Sequence, residues 1–247
     1  MTWRASSGVA VARQRADMLE RARGFFRARK VLEVDTPALG RFTATDPTID
    51  SLSVAGPHGT TLYLQTSPES HMKRLLAAGY PDIYGIGHVF RGGEAGRLHQ
   101  PEFTMVEWYR QGFGLDAIID ETVAFIAALL DRPGLRDAEQ FEYRDAFQRF
   151  SGIDPFTASS DELADAASAD AGLRNSLGAD RDGWLDLLLS TRVAPGFADS
   201  GLTVVRHFPA SQAALARLCP SDDGTADRFE VFYGAMELAN GFVELRD

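Results

Sequence analysis

The apolar and polar positions predict helices and strands along the whole chain. Val11, Met18, Ala22 and Phe26 recur at roughly helical spacing within residues 9–29. Strand-like runs occupy residues 31–37, 61–66, 82–91, 103–110, 202–209 and 228–245. Further helical patterns occupy residues 67–79, 115–131, 138–150, 160–170 and 181–192. Strands joined by hairpins, with helices between them, predict an α+β fold on an antiparallel sheet, organised as one domain over residues 1–247.

The helix predicted at residues 67–79 has recognisable ends. Ser67 can act as its N-cap, Pro68 suits the first turn, and Gly79 supplies the stop. Glu69 lies near the N-terminus, where the helix dipole favours a carboxylate. Capping alone would explain Glu69, and a role in ligand binding is the alternative.

Residues 90–110, FRGGEAGRLHQPEFTMVEWYR, predict a long hairpin around a glycine-rich loop. The glycines allow positive φ and close approach of a ligand, while Arg91, Arg97 and His99 supply donors for an anion. Arginine binds phosphate oxygens bidentately and stays charged at any working pH. A solvated hairpin tip would have the same composition, so the loop alone leaves both interpretations open.

The strand after this loop carries a carboxylate among apolar residues. Alternation places Phe103, Met105, Glu107 and Tyr109 on one face. Both faces are largely apolar, so we expect Glu107 to be partly enclosed, which costs free energy unless a cation or donor meets it. Its partner is either an arginine of the same chain or the ammonium of a ligand, with the Tyr109 hydroxyl assisting.

The segment MELANGFVEL holds a second pair of carboxylates. Strict alternation places Glu244 with Asn240 and Glu237 on the opposite face. Both glutamates can serve one site only if the strand bulges or breaks, and Asn240–Gly241 is a plausible place for that. The alternative is one solvent-facing glutamate and one internal salt-bridge partner.

Composition narrows the class of protein. The 247-residue chain has a net charge of −10, which disfavours a large nucleic-acid footprint. Cys219 is the only cysteine, which excludes an intrachain disulfide and argues against a cysteine-based zinc site. No window approaches the roughly 20 apolar residues of a membrane span, and the N-terminal residues lack a signal-peptide core. These features predict a cytoplasmic protein that does not cross a membrane.

Several long motifs, in order, resemble those of class II aminoacyl-tRNA synthetases. They are GFFRARKVLEVDTPAL (a dimer-interface helix and strand), LQTSPESHMKRLL, FRGGEAGRLHQPEFTMVEWYR, HFPASQAALA and MELANGFVEL. Within that class the chain is similar to the lysyl-tRNA synthetase catalytic domain. It is most similar to the shortened elongation factor P–lysine ligase family. The segments EWYR, FPASQA and ELANGF favour this family over the full synthetase. The resemblance covers essentially the whole chain.

This resemblance implies a reaction in two steps that uses ATP and Mg²⁺. The carboxylate of lysine or (R)-β-lysine attacks the α-phosphate of ATP, and the aminoacyl group then passes to a lysine of elongation factor P. The resemblance also implies a homodimer. It disfavours tRNA as the acceptor, because the first motif starts near residue 13 and leaves no room for the anticodon-binding OB-fold of full lysyl-tRNA synthetases. A lysyl-tRNA synthetase fragment and a catalytically inactive nucleotide-binding or amino-acid-binding paralogue are the alternatives.

The resemblance also implies roles for individual residues. Arg91 would be catalytic, holding the α-phosphate through the transition state. The implied ATP-binding residues are Arg91, Gly93, Glu94, His99, Gln100, Glu237 and Leu238. The implied substrate-binding residues are Ser67, Pro68, Glu69, Glu107, Tyr109, Asn240 and Glu244. Glu237 and Glu244 would hold Mg²⁺.

The chain departs from the family pattern at three places. Gly93 follows Gly92 and displaces the motif glutamate to Glu94, and Gln100 replaces an asparagine. The sequence ends at ELRD, before the third motif with its phosphate-binding arginine. Loss of one preorganised charge costs about 3 kcal/mol, or about 10²–10³ in rate, so the sequence predicts slow or absent adenylation.

Overall fold

A computed structural model of the chain describes residues 5, 7–44, 49–96 and 99–245. The helices are α1 Val9–Ala28, α2 Glu69–Ala77, α3 Leu115–Leu129, α4 Tyr143–Ser151, α5 Ser160–Ala166, α6 Ala171–Leu177 and α7 Arg181–Leu188. The strands are β1 Leu32–Glu33, β2 Leu39–Gly40, β3 Ser53–Ala55, β4 Thr61–Leu64, β5 Ile83–Phe90, β6 Glu102–Tyr109, β7 Glu139–Glu142, β8 Leu202–Pro209, β9 Leu218–Cys219, β10 Asp222–Tyr233 and β11 Met236–Phe242. The chain divides into two compact units, Met1–Gly112 and Phe113–Asp247.

The first unit is built around the predicted hairpin. Strand β5 pairs with β6 in antiparallel fashion, from Phe90 opposite Glu102 to Ile83 opposite Tyr109, with no shift of register. Its other edge pairs with β1 in parallel. A smaller sheet has the order β2–β4–β3. The long hairpin that the sequence predicts is confirmed.

Helix α1 has the apolar face that its spacing predicts. Ala22, Phe25 and Phe26 are buried, and the Phe26 ring stacks on Tyr84 of β5 with a centroid separation of 4.3 Å. The same ring lies 5.5 Å from Trp108 of β6. Packing of this face on the sheet stabilises α1 more than helix propensity alone would.

The start of α2 differs from the prediction by one residue. Pro68, and not Ser67, occupies the N-cap position. The Ser67 hydroxyl still accepts a hydrogen bond from the Glu69 amide at 3.1 Å, because a serine just before a helix can satisfy one of its free N–H groups. Gly79, with φ +88°, follows the helix, and its amide donates to Leu76 O at 2.9 Å. The predicted stop at Gly79 is confirmed.

The second unit contains a mixed sheet of order β11–β10–β8–β7, with β9 paired to β10. Strand β10 is antiparallel to β11, β8 and β9, whereas β7 is parallel to β8. The predicted helix at 138–150 is therefore wrong in its first residues, since Glu139–Glu142 is a strand and α4 begins at Tyr143. Backbone pairing with β8 overrides the helix propensity of Glu and Gln there. The predicted α+β class is confirmed, with parallel pairs beside the antiparallel ones.

Helices α4, α5 and α7 share a core with the sheet of the second unit. Its largest fully buried side chains include Trp184, Tyr143, Phe147 and Phe208. Helix α6, which the sequence pattern does not predict, packs beside α7 through the partly buried Leu173 and Leu177. In the parts of the chain that the structure describes, no helix has both the length and the apolar character that a membrane crossing requires.

Candidate active site

Arg91 is held in a defined position where the hairpin leaves β5. Its amide donates to Pro101 O at 2.9 Å, and its guanidinium carbon lies 5.3 Å from the centroid of the Phe103 ring. Its Nη1 is 3.7 Å from Glu94 Oε1. The side chain is 25% exposed, so the cation is oriented by its neighbours and still reaches solvent.

Two of the loop glycines are favoured at their positions, Gly92 by close packing and Gly93 by its backbone conformation. A Cβ at Gly92 would lie 3.1 Å from Asp50 Cβ, and the Gly92 amide donates to Asp50 O at 2.8 Å. Gly93 has φ +76°, which favours glycine. Gly96 lies outside that region, so the predicted positive φ is confirmed for Gly93 alone among the three.

The far side of the loop is exposed. His99 and Gln100 are both solvent-accessible, and the Gln100 amide nitrogen is 3.5 Å from Gly96 O. Arg97 lies outside the described residues. Exposure is compatible with the nucleotide role that the resemblance implies for His99 and Gln100, and with a solvated loop tip.

The segment Ser67–Pro68–Glu69 lies beside Arg91. The Arg91 Nε is 3.4 Å from the carbonyl oxygen of Thr66, the residue before Ser67. Pro68 is buried, while Glu69 is half-buried and pairs with Lys73 Nζ at 2.7 Å. The fold of the first unit thus brings together two motifs separated by more than 20 residues in sequence.

Glu107 and Tyr109 form a pair on β6. The Tyr109 hydroxyl donates to Glu107 Oε1 at 2.9 Å, and both side chains are half-buried, as the apolar alternation predicts. Arg110 pairs instead with Asp82 Oδ2 at 2.9 Å. A half-buried carboxylate oriented by a phenol is suited to binding an ammonium group.

Room beside Glu107 comes from a glycine on the neighbouring strand. Gly85 lies directly opposite Glu107 in the β5–β6 register. A Cβ at Gly85 would lie 3.6 Å from the sulfur of Met72 and 3.4 Å from Val34 O. These are ordinary van der Waals distances, so a Cβ at Gly85 would contact α2 and the segment after β1 without a clash.

Strand β11 contains the bulge that the two-glutamate hypothesis requires. Val231 of β10 faces Ala239, but the next residue, Phe232, faces Glu237, so Leu238 is an extra residue. The predicted place was wrong, because Asn240 and Gly241 pair in regular register with β10. Gly241 is needed for packing instead, since a Cβ there would lie 2.7 Å from the ring of Phe229.

The bulge changes which side chains share a face. Asn240 faces Glu230 across the β10–β11 pair, and Glu237 faces Phe232. Glu230 and Phe232 alternate onto one face of β10, so Glu237 and Asn240 lie on that face together. Glu237, Leu238 and Asn240 are all exposed.

Glu230 is a buried acid on this face that the sequence reasoning missed. Its side chain is 8% exposed, and its Oε1 accepts from Arg228 Nη2 at 2.7 Å. Burial, and then the charge of Glu237, raises the pKa of Glu230 to about 8, against the opposing effect of Arg228. Its sequence signal is of the same kind as that of Glu107, namely a carboxylate within an apolar run. For Glu230 this run is RFEVF.

Glu244 follows β11 and is half-buried. It forms an isolated antiparallel bridge with Ala216, which fixes its backbone beside the segment before β9. Its carboxylate and that of Glu237 offer the hard oxygen ligands that Mg²⁺ prefers. The residues present therefore fit the ion that the resemblance implies.

A family profile described as tRNA synthetases class II (D, K and N) matches residues 1–247. The chain belongs to this class II tRNA synthetase family. Its curated relatives include proteins named elongation factor P–(R)-β-lysine ligase. The one from Photorhabdus laumondii is 45% identical, with 99% of this chain and 76% of the relative covered. That from Vibrio cholerae is 44% identical (98% and 76% covered), and that from Haemophilus influenzae is 42% identical (99% and 76% covered).

Proposed function

We propose that the chain is an ATP-dependent ligase that joins lysine or (R)-β-lysine to a lysine side chain of elongation factor P. The substrate carboxylate oxygen attacks the α-phosphorus of ATP, the bond to the β-phosphate breaks, and pyrophosphate leaves. The acceptor amine then attacks the carbonyl carbon of the adenylate, AMP leaves, and the amine loses a proton. The observation that supports this proposal best is the hydrogen bond of 2.9 Å from the Tyr109 hydroxyl to Glu107 Oε1. It occurs in a chain that is 45% identical to a ligase of that name.

The nucleotide is assigned to the hairpin loop of the first unit. Arg91 would neutralise charge on the α-phosphate in the transition state, which is where a preorganised cation contributes most to rate. Gly93 and Glu94 would frame the adenine, with His99 and Gln100 beside the nucleotide. The packing of Arg91 against Phe103 supports this role, because it limits the reorientation of the cation during reaction.

The amino acid is assigned to carboxylates. Glu107, oriented by Tyr109, would bind a substrate ammonium, and Ser67 and Glu69 would bind near its amino group. Pro68 fixes the backbone between Ser67 and Glu69. In the second unit, Asn240 and Glu244 are the residues proposed to bind the amino acid. Opposite charge supports the assignment, because a half-buried carboxylate gains free energy from an ammonium that replaces water.

The metal is assigned to Glu237 and Glu244, with Leu238 and Glu237 also contacting ATP. Bound Mg²⁺ would supply positive charge to the triphosphate, a role that magnesium commonly has in phosphoryl chemistry. The carboxylates of Glu237 and Glu244 would bind this ion and orient it. Glu230 lies on the same face of the β10–β11 pair as Glu237 and would lose its proton more readily once a cation offsets the Glu237 charge.

We further propose that the protein is a homodimer. Val9, Val11 and Leu32, on α1 and β1, are 70%, 52% and 45% exposed. Exposed apolar side chains on the first-motif segment are suited to burial against a second copy. Sedimentation should then give twice the 27.0 kDa chain mass. The cytoplasmic location, the single-domain organisation and the slow adenylation stay predictions.

The activation step is tested by pyrophosphate exchange with ATP, Mg²⁺ and either lysine or (R)-β-lysine. Exchange that requires one of these amino acids is expected, and the amino acid giving the larger kcat/KM identifies the substrate. ATP binding by calorimetry without exchange would instead support an inactive paralogue.

The transfer step is tested by adding elongation factor P and measuring its mass. A gain equal to one lysyl or β-lysyl group on one lysine supports the proposal. Charging of tRNA^Lys with no gain on elongation factor P would overturn it in favour of a lysyl-tRNA synthetase activity.

A further inference from the structure

The second unit contains a mixed cluster of potential metal ligands that the proposed reaction does not use. One ligand atom each from His207, Cys219 and Asp227 lie within 4.8 Å of one another. These residues come from β8, β9 and β10, so the sheet pairing itself assembles the cluster. We propose that this cluster binds one divalent transition-metal ion, with Zn²⁺ as the ion its ligands fit best.

The sheet is irregular at this cluster. The register of β8 against β10 shifts so that His207 faces two residues, Asp227 and Arg228. Such a bulge re-aims side chains and ends regular pairing. His207 also has φ +56°, an unfavourable conformation for a non-glycine residue. The tertiary structure thus holds the imidazole away from the direction that a regular strand would give it.

Glu142 orients the imidazole as a metal ligand requires. The His207 Nδ1 is 2.6 Å from Glu142 Oε2, so a proton on Nδ1 is donated to that carboxylate. The lone pair of the neutral ring is then on Nε2, which faces Asp227. Metal-binding histidines commonly donate their second ring N–H to a carboxylate in this way.

The distance between Nε2 and the facing carboxylate suits an ion between them. His207 Nε2 is 3.7 Å from Asp227 Oδ1, which is too long for a hydrogen bond. Two ligands held at about 2.0 Å from a tetrahedral zinc are about 3.3 Å apart, so a shift of a few tenths of an ångström would bring the His207 and Asp227 ligand atoms to that separation. The other carboxylate oxygen, Oδ2, accepts from Arg217 Nε at 2.7 Å.

The thiol selects the class of metal. Cys219 Sγ lies 3.2 Å from Ser221 Oγ, whose hydroxyl can donate to a thiolate. Imidazole, thiolate and one carboxylate favour zinc over Mg²⁺, which prefers oxygen ligands alone. His207 is 20% exposed, which gives the ion and a water molecule access. The single cysteine argued against a cysteine-based zinc site, but here the other two ligands are His and Asp.

The cluster also restrains the end of the chain that carries Glu244. The Val243 amide donates to Asp227 O at 2.9 Å, and Val243 O accepts from the Arg217 amide at 2.9 Å. An ion bound to Asp227 and Cys219 would therefore brace the backbone just before Glu244. This structural role is separate from the Mg²⁺ assigned to Glu237 and Glu244.

Metal binding is tested on the whole 247-residue chain after chelator treatment. Co²⁺ titration should give a thiolate-to-cobalt charge-transfer absorption that saturates at one ion per chain and is abolished by Zn²⁺. Because Cys219 is the only cysteine, that absorption can come from no other residue. Absence of the absorption, together with no Zn²⁺ retained against a chromophoric chelator, overturns the proposal and leaves His207 as a hydrogen-bond partner of Glu142.

Variants locate the site. Cys219→Ser should abolish the charge-transfer absorption, His207→Gln should weaken Zn²⁺ binding at least about 100-fold, and Glu142→Gln about 10- to 100-fold. His58→Gln, which changes an exposed histidine of the first unit, is the matched control and should bind Zn²⁺ unchanged. Binding that survives both His207→Gln and Cys219→Ser contradicts the assignment. If those variants do not fold, the cobalt spectrum of the unsubstituted chain decides by itself.

Discussion

The β5–β6 hairpin of the first unit and the β10–β11 hairpin of the second unit differ in regularity. The β5–β6 hairpin pairs residue for residue, and its acid, Glu107, lies where period-two alternation predicts. The β10–β11 hairpin contains an extra residue, Leu238, and only this bulge brings Glu237 to the face of Asn240. A regular strand allows its faces to be read from sequence, whereas one extra residue reverses the faces beyond it.

The same contrast holds for the partners of two acids, the half-buried Glu107 and the buried Glu230. Glu107 accepts from Tyr109, two residues along its own strand, at 2.9 Å. Glu230 accepts from Arg228, two residues along β10, but its pKa is set by burial and by Glu237 of the neighbouring strand. In both hairpins, therefore, the hydrogen-bond partner of the acid lies two residues away in sequence. In the β10–β11 hairpin, the pKa of the acid also depends on the register between the two strands.

The largest effect is expected at the loop of the regular hairpin. Arg91→Ala should lower the rate of pyrophosphate exchange by about 10²–10³ relative to the unsubstituted chain, because it removes one preorganised cation. Arg144→Ala, at a 51% exposed arginine of α4, is the control and should leave exchange close to the starting rate. Equal rates for both variants would show that Arg91 does not contact the reacting phosphate.

Removal of Leu238 tests the irregular hairpin. Deletion leaves one residue between Glu237 and Asn240, so a regular register keeps both side chains on one face. We therefore expect Mg²⁺-dependent exchange to be retained, whereas Glu237→Gln should lower it by about 10², close to the loss of one charge stabiliser. A deletion variant that folds, by circular dichroism, and loses Mg²⁺-dependent exchange would show that Leu238 itself, rather than the shared face, is required.

Substitutions on β6 separate charge from orientation. Glu107→Gln should raise the KM for the amino acid about 30-fold, or about 2 kcal/mol, and leave the KM for ATP unchanged. Tyr109→Phe removes only a hydrogen bond, so a smaller rise of about fivefold is expected. Glu102→Gln, at an exposed residue of the same strand that pairs with His88, is the control. A rise in the KM for ATP in Glu107→Gln would assign this acid to the nucleotide instead.

The raised pKa of Glu230 predicts a pH dependence of stability. The folded chain keeps the Glu230 proton up to about pH 8, whereas the unfolded chain loses it near 4.5, so the free energy of unfolding falls as pH rises between these values. The slope from one proton is at most about 1.4 kcal/mol per pH unit. Denaturant unfolding over this range should show that slope reduced in Glu230→Gln. An identical slope in both proteins would mean that Glu230 is ionised in the folded state.

The smallest effect is expected from the loop glycines. Gly93→Ala should destabilise the chain by about 1 kcal/mol, because alanine is strained at φ +76°. Gly96→Ala is the matched control, since Gly96 has no positive φ and no residue of the described ranges would lie within 4 Å of an added Cβ. Thermal unfolding without ATP measures the stability of both variants. Similar losses of stability would indicate that the positive φ of Gly93 is not the reason for a glycine there.

Predictions from sequence were accurate for features that depend on a single helix or strand. The apolar face of α1, the stop of α2 at Gly79 and the two faces of β6 follow from spacing within a single segment. The prediction was less accurate at Ser67, where the predicted cap is displaced by one residue. Helix ends depend on a few neighbouring dihedral angles, so their position is predicted only to within one or two residues.

The sequence by itself determined the helical and strand periods, the enclosure of Glu107 and the motif order that identifies the family. Only the tertiary structure decided that Glu139–Glu142 is a strand, that the bulge falls at Leu238, and that His207, Cys219 and Asp227 meet. The physical reason is that periodicity is a property of one segment, whereas register depends on backbone hydrogen bonds to a partner strand far away in sequence.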